Sequence, residues 1–198
     1  MPTKALKTTA PASEPEAFDT AKKLERWLEA NHDSRPELWV RIFKKESGTP
    51  SVTWGDCVVA ALAWGWIDGQ KKALDEDSFL QRLTPRRAKS GWSKKNREHA
   101  ERLIAEGRMK PSGLVHVEAA KKDGRWEQAY AGSAEMVIPE DFLAALKKIP
   151  AAERFYAALD RKNLYAIYHR LQTAKRPETR QKRVESILAQ LARGEVFH

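Results

Sequence analysis

The chain has 198 residues, 41% hydrophobic and 32% charged, with one cysteine and a net charge of +9. That length suits one good core or two small domains. The composition excludes an internal disulfide and a cysteine-rich metal site, and no apolar run reaches the roughly 18 residues of a membrane span.

Residues 1–17 are rich in Thr, Ala, Pro and Glu without periodicity and read as a disordered tail. They also lack the apolar core of a signal peptide, so the expected compartment is the cytoplasm. A first helix is expected from Asp19 or Thr20, with Leu24, Trp27 and Leu28 on one face. It stops at the turn cluster 31–34, before Pro36. Residues 37–45 alternate as a strand, with Leu38, Val40 and Ile42 opposite Trp39, Arg41 and Phe43.

Thr53 can cap a helix from Trp54 to about Trp64, with Asp56 complementing its dipole. Almost every side chain in it is apolar, so it should be central and buried. Cys57 lies in this run and is expected to be an inert core thiol; a reactive thiol is the alternative. Gly65 is placed to end the helix. Residues 66–74 and 78–83 then read as a hairpin, with a bend at Gly69. Residues 84–92 read as a loop.

Ser93 is expected to cap a helix over 94–106 whose core face is Ala100, Leu103 and Ile104. Another runs through Leu114, Val117 and Ala120 to Gly124. Trp126 and Tyr130 read as aromatic plugs, and 131–138 as a linker. From Pro139 onward every segment has helical periodicity. The expected architecture is α+β: a small antiparallel sheet packed on helices over 18–130, followed by an all-helical region over 139–198.

The charge is uneven. Residues 84–110 carry nine Lys/Arg against three Glu, and residues 161–193 nine against two. Such segments suit an anionic partner, or form solvated helix faces. The candidate ligand site groups Asp68 with Arg86, Arg87 and Trp92, flanked by Trp66 and Arg82. Guanidinium forks fit carboxylate or phosphate, and an indole offers a flat apolar wall. Asp68 by itself reads first as a structural ion pair with Arg82 or Arg86, and the tryptophans read first as core, with the ligand pocket as the sharper alternative. Asp68 or Asp56 could instead serve as a general base. Arg176, Arg180 and Arg183 form a second basic cluster, open to nucleic acid or solvated, with no aromatic residue interleaved in sequence. No Gly-rich phosphate loop or paired-histidine motif is present, and no cofactor or metal is expected.

The runs Trp54–Gln70 with Trp66-Ile67-Asp68-Gly69, Leu83-Thr84-Pro85-Arg86-Arg87 with Trp92-Ser93, Gly107-Arg108-Met109 and Ala174–Arg180 resemble the YdeI/OmpD-associated family across roughly residues 20–193. The resemblance implies a bacteriocin-protection or porin-associated role, with resistance to cationic antimicrobial peptides and no established catalytic residue. It also implies a periplasmic setting, against the cytoplasmic one expected from the first residues. The leading expectation is a non-catalytic protection protein that binds an anionic small molecule or peptide. Its alternatives are an enzyme using Asp68 or Asp56, and a nucleic-acid-binding protein using the C-terminal arginines.

Overall fold

The computed structural model describes residues 14–197. The chain divides into two compact units, Met1–Ser90 with Asn96–Trp126, and Gly91–Lys95 with Glu127–His198. Most of the tail expected over 1–17 lies outside the described residues.

The first unit opens with β1 (Glu16–Ala17), where a continuing tail was expected. Its two residues are too few to show a period. They are held by parallel pairing with Val40 and Arg41, and by a Trp27 Nε1–H that donates to Glu16 Oε1 at 2.7 Å. α1 (Ala21–Asn31) buries Leu24 and Leu28 completely. β2 (Leu38–Phe43) follows, then a 3-10 turn over Lys45–Ser47.

α2 (Trp54–Ala63) starts with the expected cap, closed in both directions. Thr53 Oγ1 accepts from the Asp56 N–H at 3.1 Å, while Asp56 Oδ2 takes the Thr53 N–H at 2.8 Å and its hydroxyl at 2.7 Å. This capping box satisfies donors that the first helical turn leaves without partners. Gly65, at φ 76°, ends the helix in the left-handed region.

β3 (Trp66–Ala73) and β4 (Ser78–Pro85) form the hairpin, giving the sheet order β1-β2-β4-β3. The bend expected at Gly69 is a bulge: the register shifts between Asp68 and Lys71. Buried Gln81 serves it, donating from Nε2 to the Gly69 and Arg82 carbonyls at 3.1 Å each. Thr84 and Pro85, expected in a loop, pair with Ile67 and Trp66. Proline is tolerated there because β2 reaches only as far as Leu83, so no ladder donor is missing on that side.

One sheet face carries Leu38, Val40, Ile42, Trp66 and Leu83 against Leu24, Leu28, Cys57, Ala60 and Ala61. Burying each large apolar side chain contributes about 1.5–3 kcal/mol before entropy is counted. Trp39 points to the other face yet is only 3% exposed. Lys72 covers it, with Nζ 4.6 Å from the ring centroid.

α3 (Lys94–Ala105) buries Ala100 and Leu103 but leaves Ile104 37% exposed, so its core face is narrower than expected. α4 (Pro111–Lys122) meets the end of α2 at glycines. Lys110 N–H donates to the Ala63 carbonyl at 3.0 Å, and an added Cβ on Gly65 would lie 2.6 Å from the Ser112 carbonyl oxygen.

The second unit holds α5 (Glu140–Leu146), α6 (Pro150–Ala157), α7 (Arg161–Gln172) and α8 (Pro177–Ala192). Proline opens α6 and α8, where its missing N–H costs nothing. Phe142, Leu146, Ala152, Ile167, Leu171, Ile187, Leu188 and Leu191 form its core. The segment read as a linker is tied down: the Ala131 N–H donates to Tyr168 Oη at 2.9 Å, and Arg161 donates to the Ser133 and Ala134 carbonyls. The chain is therefore α+β, a sheet with helices followed by a helical region.

Candidate functional site

Asp68 lies on β3 just before the bulge. Its Oδ2 accepts from Trp54 Nε1–H at 3.3 Å, and among the described residues no arginine is within ion-pair reach. The ion pair expected for it is therefore absent. Arg82 is turned to Glu37 instead, with Nε donating to Oε2 at 2.6 Å. The register explains this: Arg82 stands opposite Trp39 on the far sheet face, whereas Asp68 stands opposite Leu83. Trp66 is core, 1% exposed, with its Nε1–H given to the His32 carbonyl at 3.0 Å.

Arg86 and Arg87 directly follow β4 and have opposite environments. The Arg86 main-chain N–H donates to the Gly65 carbonyl at 2.9 Å, and its side chain is buried. Arg87 is exposed, and among the described residues it has no carboxylate partner. Trp92 is 2% exposed and belongs to the second unit, where its carbonyl accepts from the Tyr130 N–H at 3.0 Å.

The fold adds two residues to Arg86 that the sequence reading did not single out. Arg125, 5% exposed, donates from Nε to both Asp123 oxygens at 2.8 Å and from Nη1 to the Ser90 carbonyl at 2.6 Å. His116 is held below its ordinary pKa by burial, then by the positive charges of Arg86 and Arg125. Two guanidinium groups therefore act on a neutral imidazole, with the Asp123 carboxylate set against Arg125. The only sequence signal was the Asp-Gly-Arg-Trp run at 123–126, which reads equally well as a turn.

Cys57 is fully buried, and its thiol is pushed up to about 12 by burial, with the Asp56 and Asp68 carboxylates adding to the shift. A protonated, inaccessible thiol is no nucleophile. Asp56 borders a cavity of about 360 Å³ with Glu25, His99, Arg102 and Arg108. Its Oδ2 is already engaged twice by Thr53.

In the second unit, Arg180 and Arg183 serve as ties. Arg180 grips Asp141 at 2.7 and 2.8 Å through Nη2 and gives Nη1 to the Leu171 carbonyl at 3.0 Å. Arg183 Nη1 donates to the Arg170 carbonyl and to Thr173 Oγ1. These contacts satisfy carbonyls that the end of α7 leaves open. Arg176 is exposed at the start of α8.

Among the described residues no group of three or more His, Cys, Asp or Glu is placed to hold a metal ion. No helix among them is long and apolar enough to cross a membrane.

Two family models match the chain. Residues 16–116, about half of it, match the family described as "Domain of unknown function (DUF8412)". Residues 135–194 match the family described as "Bacteriocin-protection, YdeI or OmpD-Associated". The resemblance drawn from sequence is thus shown in the helical region, where Ala174–Arg180 lies. The motifs between Trp54 and Met109 fall in the segment that the first model matches. No curated protein and no solved structure matches the chain.

Proposed function

The chain belongs to the family described as domain of unknown function DUF8412, and from that premise, with the protection family matched at 135–194, we propose that it is a non-catalytic stress- or bacteriocin-protection protein that binds an anionic small molecule or acidic peptide. The observation that carries the reading is the charge after β4. Arg87, exposed and without a carboxylate partner among the described residues, stands with exposed Lys89 just after β4, next in the chain to buried Arg86. Such a field attracts an anion, and a guanidinium fork can grip it in two places. Asp68 and Trp54 supply polar and aromatic surface in the same unit.

A hexaglutamate peptide and citrate, titrated at low salt, test this through tryptophan fluorescence. The double variant R87A/K89A removes two exposed cations without touching the buried Arg86. It should lose the fluorescence response and keep the wild-type unfolding midpoint. If neither probe alters the wild-type signal, the reading falls. The protective action would take place in the cytoplasm; recovery of the protein in a periplasmic fraction would count against that.

A second reading rests on Asp56, which borders a cavity together with His99. There Asp56 would act as a general base in an enzyme. A D56N variant that keeps every ligand response and every cellular phenotype removes it.

A further inference from the structure

In the second unit, Arg170 lines two cavities of different character. The first, of about 460 Å³, is bordered by Tyr130, Tyr165, Ala166 and His169. The second, of about 430 Å³, is bordered by Thr173, Arg183, Ser186, Ile187 and Gln190. We propose that the two form one binding site for a nucleotide: the base stacks among the rings of the first cavity, and the phosphate is held by the polar groups of the second. This site is separate from the one proposed above and does not depend on it.

The first cavity is built for a flat ring. Tyr165 and His169 lie one turn apart on α7 and so share a face. Their ring centroids are 6.1 Å apart, and Tyr130 meets His169 edge-on at 4.8 Å and 90°. Ala166 is small and leaves the volume open. His169 is held below its ordinary pKa by burial, and then by Arg183 and Arg170. At neutral pH its ring is therefore uncharged. Aromatic surfaces of this kind bind bases with little sequence preference, because every base has a π-face.

The second cavity is built for an anion. Arg183 is fixed in place by its bonds to the Arg170 carbonyl and Thr173 Oγ1. The Arg170 guanidinium sits 4.6 Å from the Phe197 ring, and among the described residues no carboxylate pairs with it. That ring contact leaves the N–H donors of its fork for a phosphate. Arg183, Ser186 and Gln190 recur along one face of α8, and among the described residues no Asp or Glu borders the cavity. The basic C-terminal cluster has no aromatic residue interleaved in sequence. The fold supplies the rings from α7 and from Tyr130 instead.

Adenosine 5′-monophosphate, adenosine and inorganic phosphate, titrated separately into the full chain by calorimetry at low salt, test the assignment. The nucleotide should bind at least tenfold more tightly than either part. R170A and Y165L should each weaken it at least tenfold, while Y165F, which keeps the ring, should bind as wild type. Circular dichroism and unfolding midpoints identify any variant that has lost its fold, and Y165F against Y165L remains a test of stacking. A single-stranded oligonucleotide that binds more tightly than the mononucleotide, with the same sensitivity to R170A, assigns the site to a nucleotide within a strand. A mononucleotide that binds as well or better assigns it to the free form. If the nucleotide binds no better than adenosine or phosphate, or if R170A and Y165L both bind as wild type, the proposal is wrong.

Discussion

Gly113 lies so close to Ala63 that an added Cβ would stand 2.5 Å from the Ala63 carbonyl oxygen, and 2.8 Å from that of Leu62. The contact is backbone on backbone, so neither side can give way by changing a rotamer. It sets how closely the start of α4 approaches the end of α2. G113A should destabilise the protein by about 1–3 kcal/mol, the usual range for overpacking a tight contact, measured by urea unfolding. A variant as stable as wild type would mean that the helices separate at little cost.

Arg180 and Asp141 tie α8 to α5, and the guanidinium holds the Asp141 carboxyl below its usual range through their hydrogen bonds. A carboxyl whose folded pKa is lowered stabilises the protein above its unfolded pKa. That stabilisation is lost as pH falls through the lowered folded value. Asp141 is 59% exposed, so solvent screening limits the pair to about 0.2–1 kcal/mol. D141N should be less stable than wild type by that amount at pH 7, and the two should converge as pH falls from the ordinary carboxylate range through the lowered folded value. R180A should cost more than D141N, because it also strips the Leu171 carbonyl of its donor. Paired unfolding curves over a descending pH series from pH 7 check both statements.

Cys57 has no exposed surface, and its thiol is raised to about 12. Ellman's reagent at pH 8 should leave the native thiol unmodified and titrate one thiol per chain in denaturant. The raised folded pKa also means that the thiol's contribution to stability is complete below its unfolded value of about 8.5. It is lost as pH climbs from there toward 12. Prompt modification of the native protein would show that the core around α2 opens readily.

Thr53 closes the capping box of α2. T53A removes the acceptor for the Asp56 N–H and the hydroxyl bonded to its carboxylate, and should cost about 0.5–2 kcal/mol in thermal unfolding. T53S should recover most of the loss. An unchanged midpoint for T53A would mean that water caps this exposed helix start equally well.

Residues 37–45 and 54–64 could be assigned from sequence because the information is local. Alternation places Leu38, Val40 and Ile42 together, and Thr53 with Asp56 marks a helix start within four residues. The same locality explains the proline-led starts of α6 and α8. The Glu16–Ala17 strand was not legible, since two residues carry no period and their pairing is decided by β2. The Asp68 ion pair failed for a related reason. Arg82 is near it in sequence but on the opposite sheet face, and which residue faces which depends on the register across the bulge at Gly69.

By itself, then, the sequence determined the kinds of element and their order, and it located the basic segments, because helix periodicity, capping and charge depend on neighbours in the chain. Only the tertiary structure decided which charges are occupied. Arg82 and Arg180 are spent on Glu37 and Asp141, while Arg87 and Arg170 keep their forks clear of carboxylates among the described residues. The physical reason is that an ion pair requires two groups within about 4 Å, and for residues 39 or 45 positions apart that distance is set by packing and strand register rather than by any local pattern.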